Sequence, residues 1–181
     1  MNHDWQGSMS GDAGDAELAR LAQMGDREAF AELYRRYAPV VHGLLLARLP
    51  WHEVEDQAQE VFIAAFHRLA SLRDPGAFGG WLCAITRNRA IEFLRTRAAV
   101  EELSEEAGAK CSSDAAESAE ALAAIRALPE SYRETLLLRL VEGLTGPEIA
   151  ARTGLTHGSV RVNLHRGMEL LRRALGKELQ S

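Results

Sequence analysis

Apolar residues recur at helical spacing along most of this chain, and the alternating pattern of a half-buried strand is almost absent. Two breaks interrupt the pattern between residues 17 and 49. Gly25 and Asp26 end one helix and begin the next, and Pro39 predicts a bend or a new helix, so three helical pieces are expected. Ala, Leu, Glu and Arg are abundant throughout. The sequence therefore predicts an all-α fold.

Residues 51–70 are predicted to form one amphipathic helix. Its apolar stripe, which we expect to be core, consists of Val54, Ala58, Val61, Phe62, Ala65 and Leu69. The opposite face carries Asp56, Gln59, Glu60, Ile63 and His67. An isoleucine exposed among polar groups indicates a surface for a protein partner, although an ordinary solvated face with one stray apolar residue fits the periodicity as well.

A loop and a basic helix follow. Asp-Pro-Gly and Gly-Gly mark residues 71–80 as the loop, and Trp81, Leu82 and Ile85 form the inward face of the next helix. Its outer surface is positively charged and polar, with Arg87, Asn88, Arg89, Arg95 and Arg97. Glu92 is the one acidic residue that offsets this charge. Such residues near aromatic side chains can hold separated DNA bases and their backbone, and a solvated basic face is the alternative.

Charge and a loss of periodicity divide the chain into regions. Residues 1–16 are expected to be a disordered tail, and the glutamate-rich residues 99–118 a flexible acidic linker. Two small helical domains remain, at 17–98 and 119–178. The formal net charge is −5, yet the second domain carries 9 basic and 7 acidic side chains. The C-terminal domain is therefore the more basic one.

Residues 145–175 have the pattern of two helices joined by a glycine turn, a helix-turn-helix. Thr145 and Glu148 have the spacing of a reciprocal capping box, and Gly154 can take the left-handed conformation that ends the first helix. Thr156 can cap the second helix. The buried side of that helix is predicted to be Val160, Leu164, Met168, Leu171 and Leu175.

The outward side of this second helix has residue types suited to a DNA groove. Helical geometry places Ser159, Val162 and Arg166 away from the core, with Arg161 and His165 together on one flank. Arginine can fork onto guanine edges or phosphates, and an exposed valine can meet a thymine methyl group. The alternative, a solvated face of a packing helix, is disfavoured by the cap, turn and short helix before it.

Catalytic and metal-binding patterns are incomplete. His52 and Glu53 open like a zinc-protease motif, but Asp56 stands at the second ligand position. We therefore expect no enzyme and no cofactor. Cys83 and Cys111 are too few for a disulfide framework, which favours a reducing cytoplasm. The sequence shows no secretion signal and no run long enough to span a bilayer.

With both halves considered, the chain resembles the extracytoplasmic-function (ECF) sigma factors, the minimal promoter-recognition subunits of bacterial RNA polymerase. The resemblance covers about residues 17–176. It rests on four motifs in the family's order: EDQAQEVF at 55–62, FGGWLCAITRNRAIEFLR at 78–95, LPESYRETLLLRLVEGLTGPEIA at 128–150 and GSVRVNLHR at 158–166.

The resemblance implies a role for each motif. The clamp helices of the polymerase's largest subunit would bind Asp56, Gln59, Glu60 and Ile63, and the polymerase flap would be a further contact. The −10 element would be held as a single strand by Arg87, Asn88, Glu92 and Arg95. The −35 element would be read by Ser159, Arg161, Val162, Asn163, His165 and Arg166. The acidic linker would thread the RNA exit channel, and an anti-sigma protein would hold the factor inactive.

Two departures from the family pattern limit what can be transferred. Asn163 replaces a basic residue, and Glu92 stands where aspartate is usual, so the promoter sequence does not follow from relatives. Two other functions stay open. A conventional helix-turn-helix repressor would need a dimerisation or effector domain upstream, and a sigma-like decoy that binds anti-sigma proteins would usually carry a receiver domain.

Overall fold

The computed structural model describes residues 14–101 and 114–178 of the 181-residue chain. All regular secondary structure in these two stretches is helical, so the predicted all-α class is confirmed. The N-terminal helices are α1 (Asp15–Gln23), α2 (Arg27–Leu46), α3 (Trp51–Arg68) and α4 (Phe78–Glu101), with short 3-10 turns at Leu69–Ser71 and Pro75–Ala77. The C-terminal helices are α5 (Asp114–Arg126), α6 (Glu130–Leu140), α7 (Gly146–Thr153) and α8 (His157–Glu178).

The break between α1 and α2 lies where the sequence predicts it. Gly25 has a φ of +96°, a conformation that side chains with a Cβ rarely adopt. Asp26 then caps α2, because its Oδ1 accepts the amides of Glu28 at 2.9 Å and Ala29 at 3.1 Å. Two amides that the first helical turn leaves without partners are thereby satisfied.

The new helix expected at Pro39 is wrong, because α2 continues through this residue to Leu46. Proline cannot donate to the carbonyl of Arg35, which costs about 3 kcal/mol in a helix interior. Arg35 lies on the exposed side of α2. The same helix buries Tyr37, Val41 and Leu44 almost completely, and each such side chain contributes about 1.5–3 kcal/mol. Burial therefore outweighs the loss of one hydrogen bond.

The loop predicted at 71–80 is shorter than expected. Asp74 accepts the amide of Gly76 at 2.9 Å and starts the 3-10 turn, and α4 begins directly after it at Phe78. Phe78 is only 1% exposed, and its ring centroid lies 5.1 Å from that of Tyr37. This buried aromatic pair fixes the first turn of α4 against α2.

Helix α2 lies at the centre of the N-terminal half, where it packs against α1, α3 and α4. In the C-terminal half α8 packs against α5, α6 and α7, with Leu136, Ile149 and Val160 fully buried. The two halves also contact each other, since α2 meets α6 and α7, and α4 meets α7. One continuous apolar core results.

The predicted linker, residues 99–118, overlaps helices at both ends, since α4 runs to Glu101 and α5 starts at Asp114. Residues 102–113 of that linker and residues 1–13 of the predicted tail lie outside the described residues. Within the two described stretches, no helix is both long enough and apolar enough to cross a membrane.

Candidate nucleic-acid and partner interfaces

The turn between α7 and α8 has the geometry that the sequence predicts. Thr145 Oγ1 accepts the amide of Glu148 at 3.4 Å, and the Glu148 carboxylate accepts the amide of Thr145 at 2.8 Å. Gly154 ends α7 with a φ of +77°. Thr156 Oγ1 accepts the amide of Ser159 at 3.1 Å and so caps α8. Local hydrogen bonds therefore set where both helices begin and end.

Beyond this turn α8 presents an exposed polar face. Of the residues predicted to contact the −35 element, those exposed to solvent are Ser159, Arg161, Val162, His165 and Arg166. Val162 is 42% exposed, so its methyl groups are accessible to an apolar ligand atom. Asn163 is placed differently, because it is half-buried and its Nδ2 donates to Thr135 Oγ1 of α6 at 3.4 Å.

The side-chain contacts of Glu169 on this face are weak. Glu169 Oε2 lies 3.8 Å from His165 Nδ1, and Glu169 Oε1 lies 3.9 Å from Arg173 Nη2. The three side chains are between 49% and 75% exposed, and pairs in such surroundings contribute about 0–1 kcal/mol. A phosphate or a base edge can therefore replace the carboxylate.

The four residues of α4 predicted to hold single-stranded DNA do not share one face. Asn88, Glu92 and Arg95 are exposed together, within about 60° around the helix axis. Arg87 lies on the neighbouring flank and faces α6. Its Nε and Nη2 donate to Glu134 Oε1 and Oε2 at 3.0 and 2.8 Å, in a two-pronged contact. Arg87 is therefore occupied by the C-terminal half.

The outer face of α3 borders an apolar groove. Asp56, Gln59, Glu60 and Ile63 are all exposed, Ile63 by 52%. The groove between α2 and α3 has a volume of about 570 Å³, and its lining consists of Phe30, Tyr34, Gln59, Phe62, Ile63, Phe66 and His67. An exposed apolar surface with a polar border is typical of a protein-protein contact.

Sequence reasoning missed three aromatic residues of this groove. Tyr34 and Phe66 are 41% and 49% exposed, and the Phe30 ring packs edge-on against Phe66 with centroids 5.0 Å apart. A signal was present, since Phe30 and Tyr34 on α2, like Phe62 and Phe66 on α3, are four residues apart and share a helix face.

Arg89 of the basic helix connects α4 to α3. Its Nε donates to the buried Gln57 Oε1 at 2.9 Å, and its guanidinium lies 3.7 Å from both Glu60 and Glu92. Glu60 belongs to the outer face of α3, and Glu92 to the outer face of α4. One arginine therefore joins the two surfaces.

Residues considered for other chemistry have structural roles. Burial raises the pKa of Cys83 to about 12, so its thiol stays protonated at neutral pH. His42 is half-buried, and its Nδ1 lies 2.6 Å from Glu142 Oε1. In the part of the chain that the structure describes, no three His, Cys, Asp or Glu side chains are grouped to hold a metal ion. Cys111 lies outside this part.

Comparison with known families identifies the class of protein. Residues 33–100 match the family model for Sigma-70 region 2, and residues 118–171 match the one for Sigma-70, region 4. The first match contains the surfaces on α3 and α4, and the second contains the helix-turn-helix. The chain is built from the modules of RNA polymerase sigma factors, which are transcription initiation factors and not enzymes.

Similar proteins narrow the class. The chain is 32% identical to the ECF RNA polymerase sigma factor SigE of Mycolicibacterium smegmatis, over 96% of this chain and 72% of that protein. It is 30% identical to the ECF RNA polymerase sigma-E factor of Escherichia coli K12, over 90% of this chain and 95% of that protein. The structure of CnrH in complex with the cytosolic domain of CnrY matches with a TM-score of 0.62 at 26% identity, covering 90% and 97% of the two chains. This chain belongs to the ECF RNA polymerase sigma factors.

Proposed function

We propose that this sigma factor binds core RNA polymerase through α3 and contacts promoter DNA through α4 and α8. One observation supports this proposal most directly. The residues implied by the family's motifs lie mainly on solvent-exposed faces, whereas the apolar stripes of the same helices are buried. Residues that served only to fill a core would be buried with those stripes.

The −35 element is assigned to α8. Helix-turn-helix proteins place their second helix in the major groove, and α8 begins at such a turn. Arg161 and His165 face base edges and Arg166 faces a phosphate in this assignment. Asn163, with its amide bonded to Thr135, is the least accessible of the assigned residues.

The −10 element is assigned to the exposed face of α4. Asn88 supplies an amide that can bond a base edge, and Arg95 supplies charge for the backbone. Arg87 joins this surface only when its contact with Glu134 is broken. The −10 surface is therefore incomplete in the arrangement that the structure shows.

Polymerase binding is assigned to the groove between α2 and α3 with its acidic border. Ile63, Phe66 and Tyr34 offer apolar area, and Asp56 with Glu60 supplies negative charge at the edge. Apolar anchors ringed by polar groups are typical of protein interfaces. Clamp helices of the largest subunit fit this groove as helical ligands, and the flap is the expected contact of the C-terminal half.

Run-off transcription with core polymerase tests the proposal. Fragments of the source genome are transcribed with and without the purified protein, and promoter-dependent transcripts are expected only in its presence. A repressor or a decoy would give none. If the protein neither bound core polymerase nor yielded a transcript from any fragment, the proposal would be rejected.

We also propose control by an inhibitory protein in the cytoplasm. The related CnrH was solved in complex with the cytosolic domain of another protein, CnrY. The apolar groove on α3 is exposed in this chain and suits such a partner as well as polymerase. Competition between a co-purifying protein and core polymerase for binding would support this control.

A further inference from the structure

A cleft of about 390 Å³ is formed by residues at the end of α2 and by α4, α5 and α6. Three arginines line it, Arg48, Arg126 and Arg133, together with Ile91 and Leu94 of α4. None of these residues is among those assigned to polymerase or promoter DNA. The volume lies within the range of small-molecule pockets, about 300–1,000 Å³. We call this cavity the arginine cleft.

Arg48 has carboxylate partners of its own. Its Nη2 donates to Glu134 Oε1 at 2.6 Å and also pairs with Glu130. Glu134 in turn accepts Nε and Nη2 of Arg87 at 3.0 and 2.8 Å. The side chain of Arg48 is only 8% exposed, so these contacts compensate for the burial of its charge. The carboxylates of Glu130 and Glu134 are thus already matched by two guanidinium groups.

Arg126 and Arg133 bind neutral acceptors instead. Arg126 donates through Nε to the carbonyl of Leu46 at 3.0 Å and through Nη2 to that of Leu49 at 2.5 Å. Arg133 Nη1 donates to the carbonyl of Arg126 itself at 3.0 Å. Within the two described stretches, neither side chain forms an ion pair with a carboxylate. Two positive charges at the cleft are therefore not paired with an anion.

The surroundings of these two guanidinium groups are unfavourable for their charge. Burial lowers the pKa of Arg126, and the charge of Arg133 lowers it further. Burial also lowers the pKa of Arg133, an effect to which Arg48 adds and which Glu134 opposes. Among the residues that the structure describes, no acceptor is placed for the buried Arg133 Nε. An anion in the cleft would offset the repulsion and accept hydrogen bonds from the N–H groups that the protein leaves free.

Phosphate is the anion that suits two neighbouring arginines best. The planar guanidinium offers pairs of N–H groups that match phosphate oxygens in two-pronged contacts. The cleft also has an apolar part, because Ile91 and Leu94 are 58% and 40% exposed. A ring or hydrocarbon portion attached to the phosphate would cover this area, which free phosphate would leave in water. The lining is therefore complementary to a molecule with one anionic end and one apolar end.

We propose that the arginine cleft binds a phosphate monoester about the size of a nucleotide. Its phosphate contacts Arg126 and Arg133, and its ring or hydrocarbon portion lies against Ile91 and Leu94. Glu130 also lines the cleft, but it is paired with Arg48, and this pairing limits its repulsion of the phosphate. Binding takes place on the free protein and needs neither polymerase nor promoter DNA, so its test is independent of the function proposed above.

Isothermal titration calorimetry of the full chain with three probes tests this proposal. The probes are adenosine monophosphate (AMP), inorganic phosphate and adenosine, which separate the phosphate from the ring portion. Arg133→Gln removes one charge of the cleft, and Arg20→Gln, at a side chain 59% exposed on α1, is its control. Ile91→Ala combined with Leu94→Ala removes the apolar area, and Met24→Ala, at a residue 76% exposed, is the control for lost apolar surface. Circular dichroism checks that each variant keeps its helices.

AMP is expected to bind the wild type more tightly than inorganic phosphate does, and adenosine is expected not to bind. Arg133→Gln should weaken AMP binding about tenfold or more, since hydrogen bonds between charged groups are the strong ones. The double variant should weaken AMP binding about threefold to tenfold through lost apolar contact and leave the binding of inorganic phosphate unchanged. Both controls should match the wild type. The proposal would be overturned by a lack of saturable AMP binding, by equal weakening in Arg133→Gln and Arg20→Gln, or by equal affinity for AMP and inorganic phosphate.

Discussion

Gly79 of α4 lies so close to α7 that a Cβ at this position would be 2.4 Å from the Arg152 carbonyl oxygen. The same Cβ would be 2.9 Å from Tyr37 Oη. The next residue, Gly80, has no atom within 4 Å of its Cβ position. Two adjacent glycines therefore have opposite surroundings, one closed by backbone and one open.

Gly79→Ala is expected to lower the free energy of unfolding by about 1–3 kcal/mol, the range for overpacking a tight site. Backbone atoms of α7 cannot move aside as a flexible side chain can. Gly80→Ala is the matched control, and it should be neutral or stabilising by up to about 1 kcal/mol, because alanine is the better helix former. Urea unfolding of both variants measures this, and equal losses would contradict the packing difference.

Ile63→Glu, combined with Asp56→Lys, is expected to weaken binding to core polymerase while the fold is kept. Both residues are exposed on the outer face of α3, and the changes remove apolar area and reverse a charge. Met24→Glu, at a site 76% exposed outside the groove, should bind normally. Pull-down assays and circular dichroism decide the matter. If the double variant lost as much helicity as a variant at the buried Phe62, the surface assignment would be refuted.

The variants Arg161→Ala and Arg166→Ala are expected to weaken DNA binding in different ways. Loss of Arg161, which can fork onto a guanine, should cost about 1–3 kcal/mol at one base pair and relax the preference there. Loss of Arg166 should weaken all sequences alike and lower the magnitude of the salt slope by about one. Holoenzyme binding to promoter variants over a salt series measures both effects. Identical profiles for the two variants would rule out this division of roles.

Stability is expected to depend on pH through His42. The hydrogen bond with Glu142 raises the pKa of His42 more than burial lowers it, with Glu55 adding a smaller effect, while Arg35 lines the same pocket. Because the pKa of His42 is raised in the folded state, the stabilisation by its contact with Glu142 is fully present below the unfolded pKa of about 6.5. It is lost as pH rises through the raised value. The free energy of unfolding is measured across this pH window for the wild type and for His42→Gln. It should fall with rising pH in the wild type alone. Parallel curves for the two proteins would contradict the assignment to His42.

Asp26→Ala is expected to destabilise the protein by about 1 kcal/mol, because the amides of Glu28 and Ala29 lose their acceptor. Asp26→Asn keeps a side-chain oxygen at the cap and should cost much less. Chemical unfolding of the two variants provides the comparison. A loss as large for asparagine as for alanine would show that the cap hydrogen bonds are not the cause.

Local signals in the sequence were sufficient for the helix-turn-helix. The capping box of Thr145 and Glu148, the left-handed Gly154 and the cap by Thr156 each involve residues close in sequence, and all are present in the structure. Steric limits and hydrogen bonds over three or four residues do not depend on the rest of the fold. Such features can be predicted from a single sequence.

Contacts between distant residues were not predictable in the same way. The sequence places Arg87 on a basic surface, but only the fold brings it to Glu134, 47 residues away. Pro39 gives a local signal for a break that burial of Tyr37 and its neighbours overrides. Arg126 likewise reaches carbonyls 77 and 80 residues away. In each case tertiary packing, which no local pattern encodes, decides the outcome.

Glu134 of α6 accepts hydrogen bonds from both Arg48 and Arg87 of the N-terminal half, and this shared contact limits how the protein can be recombined with its relatives. A chimera that joins residues 14–101 to the C-terminal half of another sigma factor keeps Arg48 and Arg87 but receives a carboxylate only if the donor has one at the equivalent place. Without it, the two guanidinium groups repel each other across a former interface. Engineered hybrids of this kind are therefore expected to have a weaker contact between their two halves, and to need a carboxylate grafted in at that place to restore it.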